Sequence, residues 1–309
     1  MKTLLSRIAV LVVAAVASCP AVALSQTGTP AGVLTSCKGP VTVTHAGASS
    51  PAAFGLALAD GDEVKTGAGA EAEIMFAAGN WVQIGANSSM RIKGHPGAAP
   101  ATEKSDASKK NNGSFEVVQN FLKLKNAEGS SAVGGLRSGE KAPRLAALSP
   151  CQTRVRVSRP VFTWKIDDPS TELRLSVYGD SNMVWQTMVS NATTVAYPAD
   201  APALKAGVSY SWTLETTDPL VSPPLRTPAA FFTVLAPADA STLDADLARL
   251  DATQGAVTYH VTRASLYFDH GLVEDAISET KSALAVDPSN ESLHAILSHL
   301  YAQTRVQPE

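Results

Sequence analysis

Positive charge, aromatic side chains and cysteine are all scarce in this sequence, and each scarcity removes a class of function. The 25 Lys and Arg are outnumbered by 28 Asp and Glu, for a formal net charge of −3. No global basic field is therefore present to attract nucleic acid. Aromatics form only 6% of the chain, while small residues, Ser and Thr are abundant, a balance common in exported β-rich proteins. Of three cysteines, Cys19 lies in the N-terminal apolar stretch. Cys37 and Cys151, far apart in sequence, do not make a zinc site. Beyond the N-terminus no apolar run reaches the about 20 residues of a membrane span. The overall mix, 45% apolar and 17% charged, excludes wholesale disorder. A length of 309 residues provides for roughly two to three domains, each able to bury its own core.

Catalytic patterns are also missing. There is no Gly-x-Ser-x-Gly elbow, Walker loop or calcium-loop motif. The histidines at 45, 95, 260, 270, 294 and 299 show no His-Glu-x-x-His spacing, and His294 and His299 fall off a common helix face. Gly67-x-Gly69-x-x-Ala72 matches a dinucleotide fingerprint formally, but a strand pattern follows it where a helix is required. Asp167, Asp168 and Asp180 flank turns and read as turn formers rather than acid/base partners. The sequence thus implies no catalytic residue, no metal site and no cofactor.

What is present begins at the N-terminus. Met1 to Arg7 contains Lys2 and Arg7 and no acid, and an unbroken apolar run follows from Ile8 to Ala17. Ala23-Leu24-Ser25 places small residues for cleavage before Gln26. Val16-Ala17-Ser18-Cys19 offers the alternative of a lipobox, with Cys19 lipidated, and a retained anchor is the third reading. A basic start, a short apolar core and a small-residue exit describe a secretory signal over 1–25. The expected location is the periplasm or cell envelope. In such an oxidising compartment Cys37 and Cys151 could pair, or both could be buried thiols.

From about Pro30 to Met90, short alternating runs such as Val41-Thr42-Val43-Thr44, Glu63-Val64-Lys65-Thr66 and Ala72-Glu73-Ile74-Met75-Phe76 predict half-buried strands. Asp60-Gly61 and Gly79-Asn80 sit where hairpins need positive φ. Gly39-x-Val41-x-Val43, Leu58-x-x-Gly61-Asp62-x-Val64-x-Thr66-Gly67, Ala70-x-Ala72 and Val82-x-Ile84-Gly85-x-Asn87-Ser88 together resemble the FecR domain. Gly134-Gly135-Leu136-Arg137 looks like the segment that closes many such domains. The resemblance covers 30–140, with 94–113 as a flexible insert carrying Lys104, Lys109 and Lys110. It implies an antiparallel β domain and a periplasmic signalling or sensor role related to sigma-factor regulators. The expected cytoplasmic output segment is not recognisable here.

A Pro-punctuated junction from Ala142 to Pro150 leads to a second β segment over 150–236. Strands are predicted around Val161–Trp164, Glu172–Tyr178, Met183–Thr187, Val208–Leu214 and Phe231–Val234. Leu204-x-x-Gly207-x-x-Tyr210-x-Trp212 resembles the tyrosine-corner region of fibronectin type III domains, and Phe162-x-Trp164 resembles their core aromatic. Trp185 and Trp212 could serve as stacking platforms for a glycan. The competing reading is that Trp164, Tyr210 and Trp212 point inward.

After Pro237 the period becomes helical. Ser241-x-x-Asp244 suggests a helix start, and Val257, Val261, Ala264 and Tyr267 recur on one face. Ala264, Tyr267, Gly271, Ala276, Ala283 and Pro288 are similar in placement to the small residues, aromatic, turn and terminal proline of a tetratricopeptide repeat (TPR). The segment 241–309 is therefore TPR-like, with one complete repeat and flanking helices. Its terminal helix offers Leu297, Leu300 and Tyr301 to an incoming helix, from an envelope protein or a second copy. The expectation as a whole is a mainly β protein with a C-terminal α segment, non-enzymatic, that acts as a binding or scaffold protein through protein, peptidoglycan or glycan contacts.

Overall fold

The computed structural model describes residues 30–93, 112–127, 144–217, 223–250 and 255–304. The chain is mainly β, with a C-terminal helical segment. Eight strands come first: β1 (Gly32–Lys38), β2 (Val41–His45), β3 (Ala48–Pro51), β4 (Ala57–Leu58), β5 (Glu63–Thr66), β6 (Glu71–Phe76), β7 (Trp81–Ile84) and β8 (Ser89–Arg91). They form two four-stranded sheets, ordered β4-β1-β6-β7 and β3-β2-β5-β8. All their pairings are antiparallel. Leu34, Ile74 and Phe76 from one sheet share a core with Val41, Val43 and Val64 from the other.

The Gly- and Asp-rich motif residues hold this domain's corners. Gly61 and Gly79 adopt φ of +88° and +84°, which an L side chain rarely tolerates. Asp62, 1% exposed, accepts from the Ala59 amide at 2.8 Å and meets His45 Nδ1 at 2.5 Å. The Thr66 hydroxyl donates to the Gly85 carbonyl at 2.5 Å and accepts from the Ser88 amide at 3.0 Å. The Asn87 amide donates to Gly67 O. Two motif segments far apart in sequence are thus one turn network. The Gly67–Gly69 stretch leads into strand β6, so it has no helix N-terminus on which to seat a dinucleotide.

A helix not expected from the sequence overlaps the end of the insert: α1 (Asn112–Lys123), continued by a 3₁₀ turn at Leu124–Asn126. It starts inside the 94–113 stretch read as insert. Gly134 to Arg137, like the three insert lysines, lies outside the described residues.

The middle segment is a β-sandwich. Its strands are β9 (Leu145–Ser149), β10 (Thr153–Val155), β11 (Val161–Ile166), β12 (Leu173–Gly179), β13 (Asn182–Val189), β14 (Thr194–Ala196), β15 (Ser209–Thr216) and β16 (Ala230–Val234). One sheet runs β10-β16-β15-β12-β13 and the other β14-β11-β9. The stretch expected as a junction before Pro150 is itself strand β9, paired with β11. Trp164, Tyr210 and Trp212 are 2%, 5% and 0% exposed, inside the core as strand alternation predicts. Trp212 Nε1 donates to Pro150 O at 2.8 Å, and Tyr210 Oη accepts from the Lys205 amide at 2.8 Å.

Four helices close the chain: α2 (Pro237–Ala248), α3 (Ala256–Asp269), α4 (Val273–Val286) and α5 (Glu291–Thr304). Helix α2 starts four residues before the expected Ser241. Proline stands at its first position, where the missing N–H is no loss and the fixed φ suits a helix. Gly271, at φ +74°, makes the α3–α4 turn as expected. The core of these helices is not theirs alone. Val33, Phe54 and Met75 of the first β domain, and Phe115, Val118, Phe121 and Leu122 of α1, belong to the same buried cluster as Val261, Leu272, Ile296 and Leu300.

Candidate functional site

Four places concentrate side-chain chemistry: two seams where the helices grip the β domains, a charged cluster between two helices, and one open edge. At the first seam the Glu73 carboxylate, on β6 and 5% exposed, sits at the N-terminal end of α3. Thr258 donates to it, and Thr258 Oγ1 lies 3.0 Å from Thr35 Oγ1 on β1. Helix α3 has no acid in its first turn and no side-chain cap of its own. A carboxylate from another domain supplies the negative charge that a helix N-terminus favours. Gly255 leaves the room, since a Cβ there would run into Glu73.

The second seam joins the sandwich to the α3–α4 turn. Glu274, in the first turn of α4, accepts from Ser149 Oγ at 2.6 Å and from the Cys151 amide at 3.0 Å. The Val273 amide donates to Thr153 Oγ1 at 3.0 Å, and the Arg154 amide to Gly271 O at 2.9 Å. Ion pairs Arg154–Asp239 and Arg156–Asp244 flank it. Burial pushes the Glu274 and Asp275 carboxyls above the usual carboxylate range, against the hydrogen bonds on the first and Arg156 near the second.

Between α3 and α4, Glu279 takes Arg263 Nε at 2.7 Å on one oxygen and His260 Nδ1 at 2.7 Å on the other. Arg263 also reaches Tyr267 Oη at 2.9 Å and lies 5.5 Å from the ring centroids of Tyr259 and Tyr267. This cluster latches two helices together. His260 is part of the latch.

The open edge is β13. It leaves β12 through a two-residue turn, Asp180-Ser181, both at positive φ, the geometry of a tight hairpin. Asp180 is therefore a turn former, and so is Asp168, which accepts from the amide and hydroxyl of Ser170. Those bonds hold the Asp168 carboxyl below its usual range. Strand β13 is last in its sheet, and Met183, Val184 and Met188 are 56%, 38% and 47% exposed. On the same strand Trp185, half-buried, packs on Tyr197 at 5.1 Å between ring centroids. Trp185, Thr187, Val195, Pro198 and Asp200 line an open groove of about 430 Å³. Trp212 is thereby excluded as a stacking platform, whereas Trp185 has an accessible face.

The residues singled out from sequence for pairing and docking are placed differently. Cys37 and Cys151 are thiols. Cys37 packs against the first β core and Cys151 is buried in the sandwich core, so no bond joins them. Burial pushes the Cys37 thiol up to about 11, with Lys125 pulling the other way. Leu300 is 0% and Tyr301 8% exposed, Leu297 is half-buried, and all three belong to the helical core. The 3₁₀ turn of the first domain packs on α5, so the chain itself covers the face expected to receive an incoming helix. Cys19 and the 1–25 leader lie outside the described residues. Among the described residues no group of three His, Cys, Asp or Glu is arranged to hold a metal, and no helix is long and apolar enough to cross a membrane.

No family model matches the sequence, and no curated protein matches it. Among solved structures, a cell surface anchoring domain aligns at 30% identity over 21% of this chain and 88% of its own, with a TM-score of 0.21. Dimeric latent PorU from Porphyromonas gingivalis aligns at 13% identity over 64% of this chain and 16% of its own, with a TM-score of 0.24. Scores this low define no shared fold.

Proposed function

We propose that this protein is a non-enzymatic scaffold of the cell envelope, exported by its N-terminal leader, that presents its β-sandwich at a fixed position relative to its first β domain. One observation carries the scaffold reading: the helical segment is engaged on both flanks, holding Glu73 and Thr35 of the first domain on one side and Ser149, Cys151 and Thr153 of the sandwich on the other. Domains joined by a linker alone move independently by default. Here a common apolar core joins the helices to the first domain, and hydrogen bonds join them to the sandwich, opposing that motion. The FecR-like, fibronectin-like and TPR-like resemblances fit such a modular envelope protein, and the basic-then-apolar start of the chain supports export.

The test is fractionation of cells making the full chain, with N-terminal mass analysis, followed by co-sedimentation with purified peptidoglycan and pull-down from envelope extract. The expected product begins at Gln26 or at a lipidated Cys19 and retains one of these partners. Intact Met1 to Ser25 on protein recovered in the cytosol would sink the envelope reading.

A further inference from the structure

We infer that β13 is a self-association edge, through which two copies of this chain join their sandwich sheets in antiparallel register about a two-fold axis at Gln186. This inference does not depend on where the protein resides. The sheet edges of the described residues are unequal. Edge strands β3, β4, β7, β8, β9 and β14 have 4, 2, 4, 3, 5 and 3 residues, and β3 ends in Pro51. Strand β10, also at an edge, is covered by the α3–α4 turn through the Arg154 amide. Strand β13 has 8 residues, and none of them is charged or proline. Monomeric proteins blunt long edges with lysine, proline or bulges, because a row of unpaired N–H and C=O groups is a template for another strand. The one irregularity, the extra residue Val184 opposite Val177 and Tyr178, lies near one end and leaves Trp185 to Val189 straight.

The occupant is indicated by the pattern of the strand itself. Antiparallel pairing of two copies about Gln186 sets Trp185 opposite Thr187, with Gln186 opposite its own copy. An aromatic then faces a β-branched residue, and two amides can exchange hydrogen bonds, each a favourable cross-strand pair. No charge meets a like charge. A two-fold contact requires this kind of self-complementarity, in which one patch serves both sides. The same pairing would shield Met188, which is otherwise open to solvent.

Sedimentation velocity of the mature chain over a range of concentrations tests this, with two variants at the exposed Gln186. Wild type is expected to dimerise. Gln186→Lys sets two like charges across the axis and should weaken the dimer about tenfold, with near-UV circular dichroism unchanged. Gln186→Cys, under mild oxidation, should trap a disulfide-linked dimer, since the two copies of residue 186 face each other across the axis. A wild type that stays monomeric at every concentration overturns the proposal. So does a dimer that Gln186→Lys leaves intact and Gln186→Cys fails to trap. A monomer that binds another protein's strand at β13 would also overturn it, because the edge would then serve a different occupant.

Discussion

Gly255 leaves open the space that the Glu73 carboxylate fills, although the two residues belong to different modules. The absence of one side chain lets a buried acid reach the start of α3. Substituting Gly255→Ala should destabilise the protein by about 1–3 kcal/mol, as overpacking of a tight site does. Denaturant titration measures it. An unchanged midpoint would mean that Glu73 is not held at the helix start.

Glu274 should make the sandwich–helix seam weaken as pH rises. Its folded carboxyl is pushed up by burial, whereas the unfolded group titrates at about 4.3. The folded state therefore binds more protons above that value. Stability is fully present below the unfolded pKa and declines as pH rises toward the folded one. Asp275, raised for the same reason, adds to the decline. Glu274→Gln should flatten it. Thermal midpoints measured from about pH 4 to 7 compare the two proteins, and equal slopes would contradict the assignment.

Much of this architecture was legible in the sequence, since alternation and helical period are local. Strands β2, β5, β6 and β11, the turns at Gly61, Gly79 and Gly271, and the buried Trp164 and Trp212 all follow from neighbours in the chain. The seams were not legible. Thr258 and Glu73 are 185 residues apart, and a glutamate on a strand gives no local sign of meeting a distant helix. Helix α1 was missed for a related reason. Phe115, Val118, Phe121 and Leu122 have helical spacing, but they follow a polar insert and pack on α3, far along the chain. The docking face assigned to Leu300 failed because one repeat read alone looks unpartnered, while the first domain already covers it.

Leu300→Asp is accordingly expected to act on stability and not on partner binding. Burying a charge without a partner in this core belongs among the most damaging substitutions, at about 4 kcal/mol or more. Circular dichroism melts will detect it. A variant that melts like wild type would restore Leu300 as a surface residue.

Trp164→Ala should cost about 3–5 kcal/mol through loss of a buried aromatic, while Trp185→Ala, beside the open groove, should cost less. Paired chemical denaturation curves measure both. A loss below about 1 kcal/mol at Trp164 would show that it is not core.

The most direct test of the account is hydrogen exchange by mass spectrometry on wild type and Val261→Ala, which opens a hole at the centre of α3, where Val261 is 0% exposed. If the helices clamp both β domains into one body, exchange should quicken in β6 and in β9–β10 as well as in α3 and α4. Faster exchange confined to α3 and its helical neighbours, with both β domains protected as before, would contradict it.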